Sequence, residues 1–180
     1  MKRQPILIAV ILVMGLSALL CGCANAAPAM AANGGASGFS AEDMFFPLDG
    51  KTYTVLTDAA PLLEALGDDF ELYEAISCLF DGMDKSFDYG DVYITTYPID
   101  GKDVIDEIIL LGGAYPTAKG VKVGGSKADI EAAYGTGYEL DGDILTYCVT
   151  SASDSQRLYF QLDEDDDTIL LISYSGGTGL

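Results

Sequence analysis

The sequence predicts an α+β domain: two tandem strand–helix–three-strand units with largely antiparallel sheet and helices packed on one face. Three observations carry this expectation. Strand-like apolar runs recur, separated by Asp-Gly pairs and by Ser-rich or acidic clusters. Two short segments have helical apolar spacing, and each ends on a glycine, Gly67 or Gly135. The whole pattern then occurs twice, over about 43–115 and 116–180.

In the first unit, Lys51–Leu56 is expected as a strand and Asp58–Leu66 as a helix, with Asp58 as N-cap and Gly67 as its stop. Leu62, Leu63 and Leu66 share one apolar face of that helix. Strands follow at Glu71–Phe80, Asp91–Tyr97 and Asp103–Leu111, with turns at Asp81-Gly82 and Asp100-Gly101. In the second unit, Gly120–Gly124 is expected as a strand. Ser126–Tyr134 is a helix with Ser126 as N-cap and Asp129 at N3, stopped by Gly135. Three strands close the unit at Tyr138–Thr150, Gln156–Leu162 and Thr168–Tyr174, with hairpin tips at Ser151–Ser155 and Asp163–Asp167. Aligning Gly67 with Gly135 places Cys78 and Cys148 in the first long strand of their units. Internal duplication explains that alignment; chance likeness of two short α+β units is the alternative.

Ahead of the domain, Lys2 and Arg3 form a positive region, and Ile6–Leu20 is an apolar run of 15 residues. That run is shorter than the roughly 20 residues a bilayer-spanning helix needs. It ends in Leu20-Cys21-Gly22-Cys23, which resembles the lipobox of a bacterial lipoprotein signal peptide: Leu three before the modified Cys and a small residue just before it. The resemblance implies a signal peptide over 1–22, lipidation of Cys23, a small-residue tether over 23–42 and a globular domain over 43–180. Cys21 is the poorer acceptor because the bulky Leu20 precedes it. The alternatives are ordinary cleavage at Ala24-Asn25-Ala26, giving a secreted protein, and an uncleaved short anchor. One acyl chain holds only marginally, whereas two anchor stably at about 0.8 kcal/mol per buried methylene. The expected location is therefore the extracytoplasmic face of the cell membrane.

Charge narrows the partners. The chain carries 9 Lys/Arg against 28 Asp/Glu, a net −19, and loss of residues 1–22 takes this to −21. Phosphate backbones and anionic headgroups both repel such a surface, so no nucleic-acid partner is expected and membrane contact runs through the lipid anchor alone. Plain solubility or a cationic partner suits the charge. The chain has no histidine, which removes Ser-His-Asp and Cys-His catalysis and His-ligated zinc. Gly124-Gly125-Ser126-Lys127 lacks the first glycine and the spacing of a P-loop. No catalytic residue, metal or cofactor is assigned, and the protein is not expected to be an enzyme.

Three further groups of residues bear on function. Cys78 and Cys148 are the only cysteines of the globular part, and an even pair outside the cytoplasm favours a disulfide. Such a bond closes a loop of about 70 residues and contributes on the order of 4 kcal/mol in the chain-entropy model. Two separate buried thiols are the alternative. Asp163-Glu164-Asp165-Asp166-Asp167 offers oxygen ligands for calcium but lacks the glycine and the distal Glu of an EF-hand, so a solvated hairpin tip is the simpler reading. Eleven tyrosines are present; Tyr93 and Tyr97 share one strand face, suited either to partner recognition or to core packing.

The segment from Gly120-Val121-Lys122-Val123-Gly124-Gly125-Ser126 through Asp129-Ile130 to Tyr134-Gly135 is similar to a strand-turn-helix motif of uncharacterised Gram-positive lipoproteins. It also resembles the outer-membrane-assembly lipoproteins of the SmpA/OmlA (BamE) type and the beta-lactamase inhibitory protein. The tandem architecture extends the second resemblance, which implies two helix-plus-sheet repeats presenting a protein-binding surface and no catalytic residues. The favoured function is a non-catalytic binding module at the cell envelope with an envelope protein as partner, its oligomeric state left open. A glycan-cleaving enzyme needs two carboxyl groups about 5–10 Å apart in a cleft. A cation-sensing lipoprotein needs the acidic loop. These are the competing readings.

Overall fold

A computed structural model of the chain describes residues 38–152 and 155–177. The expected signal peptide, Cys23 and the tether up to residue 37 lie outside the described residues, as do 153–154 in one hairpin tip and 178–180. Phe39 already packs on Tyr134 and Tyr147, with ring centroids 6.3 and 5.3 Å apart, so packing begins ahead of the expected boundary at residue 43.

After one 3-10 turn at Ala41–Asp43, strands β1 (Phe46–Leu48) and β2 (Lys51–Tyr53) form a small hairpin. Its turn uses Asp49 at φ 49° and Gly50 at φ 75°, the left-handed pair that matches strand twist in a two-residue loop. Helix α1 spans Ala60–Leu66 with Pro61 in its first turn and Leu62 fully buried. Its N-cap is Ala59 rather than Asp58. Asp58 sits one residue earlier, accepting the Ala60 N–H at 3.0 Å and pairing with Lys102 at 2.8 Å.

Strands β3 (Glu71–Ile76), β4 (Met83–Asp88), β5 (Val92–Ile99) and β6 (Lys102–Leu110) follow. Strand β4 is not among the expected strands, because Met83-Asp84-Lys85-Ser86-Phe87-Asp88 buries only Phe87 and shows no apolar run. Asp100 and Gly101 turn β5 into β6 as expected, at φ 49° and 76°. The expected strand at Gly120–Gly124 is absent: Gly120 and Gly124 sit at φ 83° and 84°, which breaks an extended run into turns.

Helix α2 (Lys127–Tyr134) begins where the capping signal placed it. The Ser126 N–H and hydroxyl donate to the Asp129 carboxylate at 2.8 and 2.7 Å, and the Asp129 N–H returns to Ser126 Oγ at 3.4 Å. The long strand expected over Tyr138–Thr150 is two strands, β7 (Glu139–Asp141) and β8 (Ile144–Cys148), folded at Gly142. Strands β9 (Arg157–Leu162) and β10 (Ile169–Ser175) complete the chain.

Each helix is thus followed by four strands, not three. All eight form one antiparallel sheet in the order β3-β4-β5-β6-β10-β9-β8-β7, so the last strands of the two meanders, β6 and β10, meet at its centre. Register aligns Phe87, Ile94, Ile108, Tyr174, Leu158 and Tyr147 in one buried row across six strands. Fully burying an aliphatic or Phe side chain contributes about 1.5–3 kcal/mol. Both helices cover this face: Tyr134 of α2 meets Phe160 and Tyr147, and Phe70, just after α1, meets Phe87 and Tyr89. A paired contact recurs at the helix ends. The Tyr89 hydroxyl donates to the Gly67 carbonyl at 3.2 Å, and the Tyr147 hydroxyl donates to the Gly135 carbonyl at 2.6 Å.

The expected Cys78–Cys148 disulfide is not formed; both thiols are free. Cys78 lies in the β3–β4 connection and Cys148 ends β8, next to opposite edges of the sheet. Six strand spacings of about 4.8 Å each separate β3 from β8, far beyond the Cα separation a disulfide spans. Joining the meanders through their last strands sends their first strands apart.

Candidate functional site

The second face of the sheet carries no helix, and its side chains follow from the same alternation that buries the first. Tyr93, Ile109, Ser173, Tyr159, Thr146 and Glu139 make one cross-strand row there. Tyr73, Ser86, Thr95, Glu107, Ser175, Arg157 and Cys148 make the next. Near the central seam these rows enclose a depression of about 220 Å³ lined by Glu107, Ile109, Tyr159, Ser173 and Gln161, with Ile144 and Leu171 at its side.

Two polar groups in this depression have little water. Ser173 Oγ is buried without a hydrogen-bond partner. An unpaired buried hydroxyl is costly, so an incoming donor or acceptor gains by meeting it. The Glu107 carboxyl has its pKa raised above the ordinary value, first by burial and next by the neighbouring Asp106 charge, while the Ser175 hydroxyl opposes the shift. The Glu107 backbone N–H donates to Thr95 Oγ1 at 3.1 Å across the β5–β6 pair. Around it the face is acidic: Glu71, Asp84, Asp88, Glu139 and Asp141 share its alternation, with Arg157 as a cationic member. A cationic or hydrogen-bond-donating group is the natural complement.

Of the tyrosines, Tyr134, Tyr147 and Tyr174 belong to the core, while Tyr73, Tyr93, Tyr97 and Tyr159 fall on the open face. Tyr93 and Tyr97 do share that face, but Phe80 stacks on Tyr97 at 4.8 Å and covers it. Two carboxylates of the acidic tip are engaged in its own turn: Asp163 Oδ1 accepts the Asp165 N–H at 2.9 Å, and Asp166 Oδ1 accepts the Thr168 N–H at 3.0 Å. Among the described residues, no group of three acidic or Cys side chains is placed to hold a metal ion. Cys23, the expected lipid acceptor, lies outside them. Neither Glu107 nor Ser173 is among the candidate residues expected from the sequence. Glu107 had a signal, an acid inside the apolar run Ile105–Leu110, but which face it took depended on the bulge at Asp106.

No family model matches the chain, and none of the curated proteins matches it. Among solved structures it is similar to the uncharacterized protein yfeY from Escherichia coli. The two share 15% identity over 68% of this chain and 92% of that one, with a TM-score of 0.39. That likeness is too distant to bear on function.

Proposed function

We propose that the protein is a lipid-anchored, extracytoplasmic binding module that uses its open sheet face to hold an envelope protein. The observation that carries this reading is the seam depression: a buried unpaired hydroxyl and a partly buried carboxyl beside an aromatic side chain, on a face with no covering layer. Central, poorly hydrated pockets ringed by polar groups are where interface anchors bind. The acidic surroundings favour a Lys- or Arg-bearing anchor from the partner. No histidine exists to support the common catalytic constellations, which leaves binding as the simpler use of this face.

We also infer that the two helix–meander units arose by duplication. Supporting this, α1 and α2 end on Gly67 and Gly135 with φ/ψ of 90°/−167° and 78°/−174°. In each unit a tyrosine on or just after the second strand, Tyr89 or Tyr147, donates to that glycine's carbonyl. The mirrored strand order follows from one unit repeated and joined at its last strand.

Placing a photo-crosslinking residue at Tyr159 in intact cells tests the binding reading. The expected result is repeated capture of the same basic envelope protein, lost when Glu107→Lys is added. Capture of nothing reproducible overturns it. The anchor has its own test: labelled palmitate enters the wild-type chain and is absent from Cys23→Ser, which leaves the membrane fraction. Equal labelling of both chains overturns lipidation at Cys23.

A further inference from the structure

The two edge strands of the sheet, β3 and β7, differ in length rather than in exposure. Every residue of β3 is exposed, with Tyr73 at 53%, Leu72 at 47% and Ile76 at 80%. The opposite edge, β7, is only three residues long, whereas β3 runs for six. Long edge strands offer a free row of backbone donors and acceptors that natural proteins usually shield with Pro, bulges or covering segments. Among the described residues β3 pairs with β4 alone, in unbroken register and without proline.

Which backbone groups are free follows from one hydrogen bond. The Ser77 N–H donates to the Gly82 carbonyl at 3.1 Å, and the β3–β4 register makes these two residues opposite partners. In an antiparallel pair, bonded and non-bonded residues alternate. Glu71, Tyr73 and Ala75 therefore bond inward to β4, while Leu72, Glu74 and Ile76 turn their N–H and C=O groups to the outside. The side chains of those three residues project on the helix-covered face, beyond its cover, where Ile76 pairs with exposed Met83.

Charge selects the occupant. Residues 68–88 hold seven Asp/Glu and one Lys, and that Lys85 is already paired with Asp103 at 2.9 Å. A second copy of the chain would bring the same negative charge to the edge. The segment between Cys23 and Ser37 carries no Lys or Arg, so it offers no complement either. We propose that β3 accepts an extended cationic segment of another protein by antiparallel strand addition. The backbone ladder supplies the attachment, and side chains select the partner. Cationic residues face Glu71 and Glu74, and apolar residues face Leu72, Tyr73 and Ile76. This surface does not depend on the seam depression, which begins three strands away on β6.

The probe is the labelled peptide Val-Thr-Lys-Val-Val-Lys, flanked by Gly-Ser and titrated against the full chain in detergent micelles by fluorescence anisotropy. Saturable binding is expected that weakens with salt. Replacing both peptide lysines by Asp should weaken it at least roughly tenfold. N-methylation of one alternate set of peptide amides should abolish it, and methylation of the other set should not. Glu74→Pro should also abolish it, because it removes an outward N–H that the sheet does not use. The methylated peptides decide the matter even if that variant unfolds. Tyr159→Ala should leave peptide binding unchanged, so failure of the open-face reading is distinguishable from failure here. Binding indifferent to methylation, equal binding of the Asp peptide, or self-association that Glu74→Pro breaks each overturns the proposal.

Discussion

Ser126 and Asp129 satisfy each other and the first backbone donors of α2, so this helix start was legible from four residues of sequence. The Ser126 cap also sets the ionisation of its partner: the backbone N–H and hydroxyl of Ser126 hold the Asp129 carboxyl below its usual range. Ser126→Ala should destabilise the protein by about 1 kcal/mol, read from denaturant unfolding midpoints. An unchanged midpoint would show that packing alone starts this helix. Glu107 behaves in the opposite sense. Burial raises its folded-state pKa above the ordinary value near 4.5, so its stabilising contribution is complete below that value and is lost as pH rises through the raised one. Glu107→Gln should therefore be more stable than wild type at neutral pH and show no such advantage near pH 4. Thermal unfolding across that range checks the sign, and parallel pH curves for the two proteins would refute it.

At the scale of elements, hairpins made the difference between the expected and observed strand counts. Asp100-Gly101 was readable because both turn residues take positive φ, which Asp and Gly tolerate. The β4 strand escaped because an element near a sheet edge needs only one buried side chain, here Phe87, and so shows little periodicity. Asp141-Gly142-Asp143 was absorbed into one long strand, although Gly142 at φ 61° turns the chain there. The cysteines depend on these same connections. With Cys78 and Cys148 free, a reductant should leave the unfolding temperature of the native protein unchanged, and exposed Cys78 should react with a thiol reagent before Cys148. A shift on reduction would restore the disulfide.

For the whole molecule, the β6–β10 seam is the joint on which cooperation between the two meanders depends. Ile108 and Ile172 are fully buried on either side of it, and both open-face rows cross it. Ile172→Ala should cost about 2–5 kcal/mol through lost burial and the cavity it leaves. Because the core runs continuously through the seam, unfolding should remain a single transition monitored by Tyr fluorescence and by far-ultraviolet dichroism. Two separated transitions would show that each meander folds as its own unit.

The α+β class, both helices, their glycine stops and most hairpin turns were determined by sequence alone, because caps, turn residues and apolar spacing act over a few neighbouring positions. The strand order, the separation of the thiols and the makeup of the open face were decided only in three dimensions. Each depends on which strands pair across the seam and on a bulge at Asp106, where one extra residue re-aims everything beyond it. Pairing between segments more than sixty residues apart is chosen by the best shared burial of both halves, a quantity no local window of the chain contains.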